Sequence, residues 1–131
     1  MCLKLKLGLT LTLTHMSSKP FTDKRGKITD LIVTPQYSIT HITFNNGAIR
    51  GNHYHKKTTQ HDLILKGKLM FAGEGYTEIV EKGDWRTHTP GSKHAYKSYG
   101  KSEMISICFG VRKGKNYEKD TYRLEGKDKL I

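Results

Sequence analysis

The sequence predicts a single all-β domain, an antiparallel sandwich or barrel. Three observations lead there. From Met16 onward, short apolar or alternating runs recur at regular spacing, with clusters of Gly, Pro, Asn and Asp between them. No window of useful length carries a helical period before the C-terminal stretch. The 131 residues suffice for one compact domain with its own core and are too few for two ordinary ones.

Taken in chain order, the first segment is MCLKLKLGLTLTLTHM. It sets Leu3, Leu5, Leu7, Leu9, Leu11 and Leu13 two residues apart, mostly with lysine and threonine between. A two-residue period is that of a strand with one apolar face. The segment lacks the continuous apolar core and small-residue cleavage site of a signal peptide, and it falls short of the ~20 apolar residues of a membrane helix. Residues 1–15 are therefore expected as an extension outside the fold or an extra strand, with the domain proper at 16–131. Strands are then expected at KITDLIVT (27–34), YSITHITF (37–44), HDLILKG (61–67), KLMFAG (68–73), YTEIV (76–80), HAYKSYG (94–100) and EMISICFGV (103–111). The intervening DKRGK, FNNGA, GEG, EKGD and TPGSK all carry turn chemistry. The last stretch, KNYEKDTYRLEGKDKL, reads as a helix or as an edge segment.

Charge and cysteine usage limit the partners. The chain has 23 Lys and Arg against 12 Asp and Glu, a net charge of +11. That excess favours an anionic partner or simply a solvated surface. The basic residues form no basic helix and no aromatic-glycine ribonucleoprotein pattern, so nucleic acid is not the expected partner. A phosphorylated small molecule explains the charge with fewer assumptions. Cys2 and Cys108 make no disulfide framework, and Cys108 in the apolar run MISICFG reads as a buried thiol of a reducing, cytoplasmic compartment.

The chemistry concentrates in IRGNHYHKKTTQHDLILKGKL, residues 49–69. Residues two apart on a strand share a face, so His53 and His55 project together. Gln60 follows after four intervening residues and Gly67 after six more. Downstream, GDWRTHTPGSKHAYKS starts at Gly83, turns at Pro90-Gly91 and delivers His94. This two-part pattern resembles the cupin family: H-x-H, a carboxylate or amide, a glycine, then G-D, a proline-glycine turn and a third histidine. The resemblance implies a jelly-roll β-barrel, and it implies His53, His55, Gln60 and His94 as metal ligands. Gln60 stands where the family usually has glutamate, and Ser98 where asparagine is frequent. Three imidazoles and a neutral amide oxygen suit Zn²⁺, Ni²⁺, Fe²⁺ or Mn²⁺ without neutralising the ion. No organic cofactor is expected.

DKRGKITDL followed by IRGNHYHKKTTQ is similar to the sugar-nucleotide branch of the cupins, the dTDP-4-keto-6-deoxyglucose 3,4-ketoisomerases, the dTDP-4-dehydrorhamnose 3,5-epimerases and the cupin domains of capsule-synthesis UDP-sugar epimerases. That likeness implies His53 as the base, His55 as the second catalytic histidine of a ketoisomerase, and Arg50 as a contact for the diphosphate of a dTDP- or UDP-sugar. The chemistry is consistent with those roles. A hydrogen α to a ketone is removable by a base of pKa near ~6.5, and guanidinium binds phosphate as a bidentate fork. If the imidazoles hold a metal instead, another group must carry the proton. By alternation Tyr96 shares the face of His94 and Asp62 that of Gln60, so both are candidates; Asp62 and His88 are further expected at the substrate. Three functions follow: a keto-isomerase or epimerase of polysaccharide biosynthesis, a metal-binding cupin acting on another small sugar or carbonyl compound, or a non-catalytic sugar-binding module. A homodimer is expected, since sandwich edges favour pairing. His61 is read as a surface residue on the opposite face, Lys56 and Lys57 as solvated, and Trp85 as core or rim filling. His15 and His41 fit no constellation.

Overall fold

Alternation and turn chemistry give ten strands in the computed structural model, which describes residues 15–16, 19–110 and 118–131. They are β1 (His15–Met16), β2 (Phe21–Asp23), β3 (Gly26–Val33), β4 (Tyr37–Phe44), β5 (Ile49–Tyr54), β6 (Thr59–Gly73), β7 (Tyr76–Glu81), β8 (Trp85–His88), β9 (His94–Phe109) and β10 (Tyr122–Arg123). Among the described residues the remaining regular element is one 3₁₀ turn, Gly126–Asp128. All pairings are antiparallel, in the order β1-β3-β4-β9-β5-β10, with β6 on β9 and both β7 and β8 on β6. The sheet curls into the expected all-β jelly-roll barrel. The leucine-rich residues 1–14 lie outside the described residues; His15 and Met16 pair with Val33 and Ile32 at the edge.

Two expected strand pairs are single strands. Residues 61–67 and 68–73 belong to the 15-residue β6, and 94–100 and 103–109 run together through the 16-residue β9, while Val111, the expected end of the last strand, lies outside the described residues. The reason is Gly67. It does not end the strand but bends it, taking φ 86° within a register shift between Lys66 and Lys68. A Cβ there would run into the Ser102 hydroxyl and stand 2.5 Å from the Lys101 carbonyl oxygen, so only glycine lets the two long strands stay paired through the bend.

The C-terminal stretch forms no α-helix among its described residues. Tyr122 and Arg123 pair with Tyr54 and His53 of β5. The core is small: Phe44, Ile64, Leu69, Phe71, Val80, Tyr96 and Met104 pack together. Burying each such side chain contributes about 1.5–3 kcal/mol. Trp85 is not part of it; it is 49% exposed and meets His61 edge-on across the outer face. Phe44, Tyr96 and Met104 serve twice, since their other sides line a cavity.

Candidate metal centre and its cavity

Strand register brings the two halves of the motif together. His53 of β5 lies directly opposite His94 of β9, and Gln60 of β6 opposite His88 of β8. Directly opposed residues share a sheet face with Cβ atoms about 4.5–5.5 Å apart. The Pro90-Gly91 turn is fastened to the first half, where the Gly91 amide donates to the His55 carbonyl at 2.6 Å. The ring centroids of His53, His55 and His94 are 4.7–5.2 Å apart, and the three offer ligand atoms within 4.8 Å of one another. All three residues are buried.

A β-bulge decides what accompanies them. Gly51 pairs with Ala95 and His53 with His94, so Asn52 is an extra residue with no partner across the ladder. It takes φ 56°, beside Gly51 at φ 97°. In an uninterrupted strand Arg50 and His53 would point to opposite faces. The bulge cancels one alternation, and both turn inward. Asn52 is secured by the C-terminal segment: its Oδ1 accepts from the Leu130 and Ile131 amides at 2.8 and 3.2 Å, and its carbonyl accepts from the Leu124 amide at 2.8 Å.

Second contacts fix the imidazole tautomers. A backbone carbonyl can only accept, so His55 Nδ1–H donates to the Asp120 carbonyl at 2.8 Å and His94 Nδ1–H to that of Ser92 at 3.1 Å. The lone pair of each neutral ring is thereby left on Nε2. For His94 this Nε2 is buried and without a hydrogen-bond partner. Burial first, then the neighbouring His88, hold His94 well below the usual histidine pKa, so it is neutral. His55 Nε2 faces Gln60 Oε1 at 3.1 Å. The amide cannot be turned round, because its nitrogen donates to both oxygens of Asp62 at 3.0 and 3.1 Å. With His55 neutral, as a metal ligand must be, its Nε2 and the Gln60 oxygen are two acceptors facing each other, an arrangement that a cation bound by both satisfies. This donor set fits a divalent metal held by His53, His55, His94 and Gln60.

Behind the ligands lies a buried carboxylate. Asp62 accepts from Gln60, from His88 Nε2 at 2.8 Å and from the Tyr96 hydroxyl at 2.7 Å. Burial would raise its pKa, but the His88 hydrogen bond and charge, with those of Gln60 and Tyr96, outweigh it and hold Asp62 at about 2. Tyr96 is pushed well above 10 by burial and by Asp62, so it remains a phenol. His88 lies parallel on His94, with centroids 4.0 Å apart and planes 7° apart.

In front of the ligands is a cavity of about 410 Å³, within the size range of small-molecule sites. His53, Gln60, His94, Tyr96 and Arg50 line it, together with the hydroxyl-bearing residues Ser38, Thr40 and Ser106. Arg50 donates to the Thr43 carbonyl at 3.0 Å and stacks over Phe44, while its Nε has no partner. Burial, then the Arg25 charge, lower its pKa to about 10, which leaves it cationic at neutral pH.

Every residue expected at the site thus falls in one neighbourhood, but in two layers. Arg50, His53, Gln60, His94 and Tyr96 face the cavity; Asp62 and His88, expected at the substrate, stand behind it, and His55 is not among the lining residues. His61 is on the other face, as expected, bonded to Thr87. The residue that sequence reasoning missed is Asp120. Its carbonyl holds His55, and its carboxylate accepts from the Lys56 and Lys57 amides and the Thr58 hydroxyl. Nothing local marks it, because its partners lie more than 60 residues earlier.

No family profile and no curated protein matches the sequence. Solved structures do. The capsular polysaccharide assembling protein CapF from Staphylococcus aureus is similar with a TM-score of 0.69 at 23% identity, over 82% of this chain and 34% of that one. Oxalate decarboxylase from Bacillus subtilis gives 0.70 at 19%, over 86% and 33%. An RmlC-like cupin from Shewanella frigidimarina gives 0.61 at 16%, over 76% of this chain and 97% of its own. The chain therefore spans about a third of the CapF and oxalate decarboxylase chains and nearly all of the RmlC-like one. The likeness is one of fold: the chain shares the curled antiparallel jelly-roll barrel of these cupin-type structures.

Proposed function

We propose that the chain holds a divalent metal at His53, His55, His94 and Gln60 and assists proton transfer on a nucleotide-linked keto sugar, as an isomerase or epimerase of cell-surface polysaccharide synthesis. The observation that carries the metal is the convergence of Nε2 lone pairs whose tautomers are set by the Asp120 and Ser92 carbonyls. A divalent ion bound there would polarise a ketone as a Lewis acid and acidify the adjacent C–H. Arg50, buried in the cavity wall with one nitrogen unpartnered, is placed to bind the anionic end of the ligand. Tyr96 presents a phenol that keeps its proton, and the cavity hydroxyls can take a sugar's own hydroxyls. Likeness to a capsular polysaccharide assembling protein supports the substrate class, and the net charge of +11 favours an anionic ligand.

The metal-free alternative divides base and acid between His53 and His55. It has less support, because His55 is off the cavity and both its nitrogens face fixed partners. Elemental analysis of the purified chain is expected to give one metal per protomer, lost in His94→Ala. A thermal-shift screen is expected to register dTDP- or UDP-sugars, with the response lost in Arg50→Met while the metal stays. A chain that takes up no Zn²⁺, Ni²⁺, Fe²⁺ or Mn²⁺ would refute the metal. Absence of any response to nucleotide sugars would refute the substrate class.

A further inference from the structure

Three neutral imidazoles and an amide would place four donors around a 2+ ion and contribute no negative charge. In a buried site that imbalance is costly, since the charge of the ion is removed from water without an anion to offset it. The carboxylate that bonds directly to one of the candidate ligands is Asp62, 0% exposed, with both oxygens on the Gln60 nitrogen. Its remaining contacts, His88 and Tyr96, are also donors, so all its hydrogen bonds are accepted by a full carboxylate. Asp62 does not reach the cavity and can neither touch a ligand there nor exchange protons with it directly.

We propose that Asp62 is the counter-charge of the metal centre, held one hydrogen bond behind the ligands, and that it makes Gln60 a ligand by capturing the amide nitrogen and aiming Oε1 at the ion. Each part follows from the geometry. Were the amide reversed, its oxygen would face two carboxylate oxygens at 3.0 and 3.1 Å, so Asp62 permits only the orientation with Oε1 toward His55. Polarised by the carboxylate, the amide carries part of the negative charge to its oxygen. The same carboxylate also orients His88, whose ring is stacked on His94, so one anion steadies two of the four ligands from behind. Of the other carboxylates around the site, Asp120 is taken up by the 56–58 turn and reaches His55 only through its backbone carbonyl, Glu118 is paired with Arg123, and Asp30 accepts from the Thr40 hydroxyl. Asp62 is thus a positioning residue.

The inference rests on the metal-holding reading above, and its test separates the two. Zn²⁺ affinity is measured by competition with a chelating indicator, and Co²⁺-substituted protein is followed by its visible absorption. Asp62→Asn keeps the shape and removes the charge; it is expected to weaken Zn²⁺ binding about 10–100-fold and to alter the Co²⁺ spectrum. The double variant Gln60→Glu with Asp62→Asn moves the carboxylate from the outer position to the ligand itself and is expected to recover wild-type affinity. An Asp62→Asn protein that binds Zn²⁺ as tightly as wild type would overturn the proposal, as would a double variant no better than the single. Should the single variant fail to fold, the double, which returns one anion to the network, must still fold and bind, and its failure counts equally against the proposal. A wild-type chain that binds no metal would instead sink the metal-holding reading itself.

Discussion

The bulge at Asn52 is the feature on which the inward pairing of Arg50 and His53 depends, and Asn52→Ala tests it. Two terms add. The backbone at φ 56° is the left-handed region, which a Cβ-bearing residue other than Asn or Asp occupies at a cost of about 1–2 kcal/mol. The side-chain oxygen accepts from the Leu130 and Ile131 amides and the side-chain nitrogen donates to the Ile131 carbonyl, and each lost bond costs about 0.5–1.5 kcal/mol. Together they predict a loss of about 2.5–6.5 kcal/mol, a large share of the ~5–15 kcal/mol that holds an ordinary domain folded. Asn52→Gly separates the terms, because glycine accepts the conformation and loses only the hydrogen bonds. Urea denaturation of chelator-treated protein is expected to rank wild type above Asn52→Gly and Asn52→Gly above Asn52→Ala, with about 1–2 kcal/mol between the variants. Zn²⁺ affinity should follow the same order, since a relaxed bulge misaims His53. Two variants of equal stability would refute the conformational term, and an Asn52→Ala protein as stable as wild type would refute the whole account.

Gly67→Ala is expected to cost more than Gly47→Ala although both glycines have positive φ, 86° and 79°. A Cβ at 47 meets nothing within 4 Å, whereas one at 67 meets the Lys101 carbonyl at 2.5 Å; equal denaturation midpoints would contradict the β6 bend. Asp62, held at about 2, contributes stability that is fully present above the ordinary aspartate pKa of ~3.9 and is lost as pH falls from there through about 2. The difference in pKa corresponds to on the order of 2–3 kcal/mol. In metal-free protein, the fall in unfolding free energy between pH 5 and pH 2 should therefore be shallower in Asp62→Asn, and parallel curves would show that the carboxylate is not held ionised.

Much of the site was legible because a strand has a period of two. That period put His53 with His55, Gln60 with Asp62, and His94 with Tyr96, and each pair is buried together. The pattern of turns likewise separated the strands, and the spacing of the two motif halves pointed to one fold. Where the reading differed, a glycine was taken for the end of an element. Gly67 instead bends β6, which continues for six residues beyond it. Of the two places read for Trp85, core and rim, its exposure excludes the core, because size alone does not say which face of a short edge strand looks outward.

The sequence by itself determined which side chains face alike within each strand, because alternation is a property of the local backbone. Only the tertiary structure decided how faces from different strands meet, and which residues stand in front of the ligands and which behind. Arg50 joins His53 only through an extra residue in the ladder, secured by the C-terminal segment. Asp120 reaches His55 only because the chain returns alongside β5 after more than 60 residues. Such contacts carry no local period. They arise when distant strands pair to satisfy their backbone hydrogen bonds and close the barrel, and register, once fixed, assigns each side chain its neighbours.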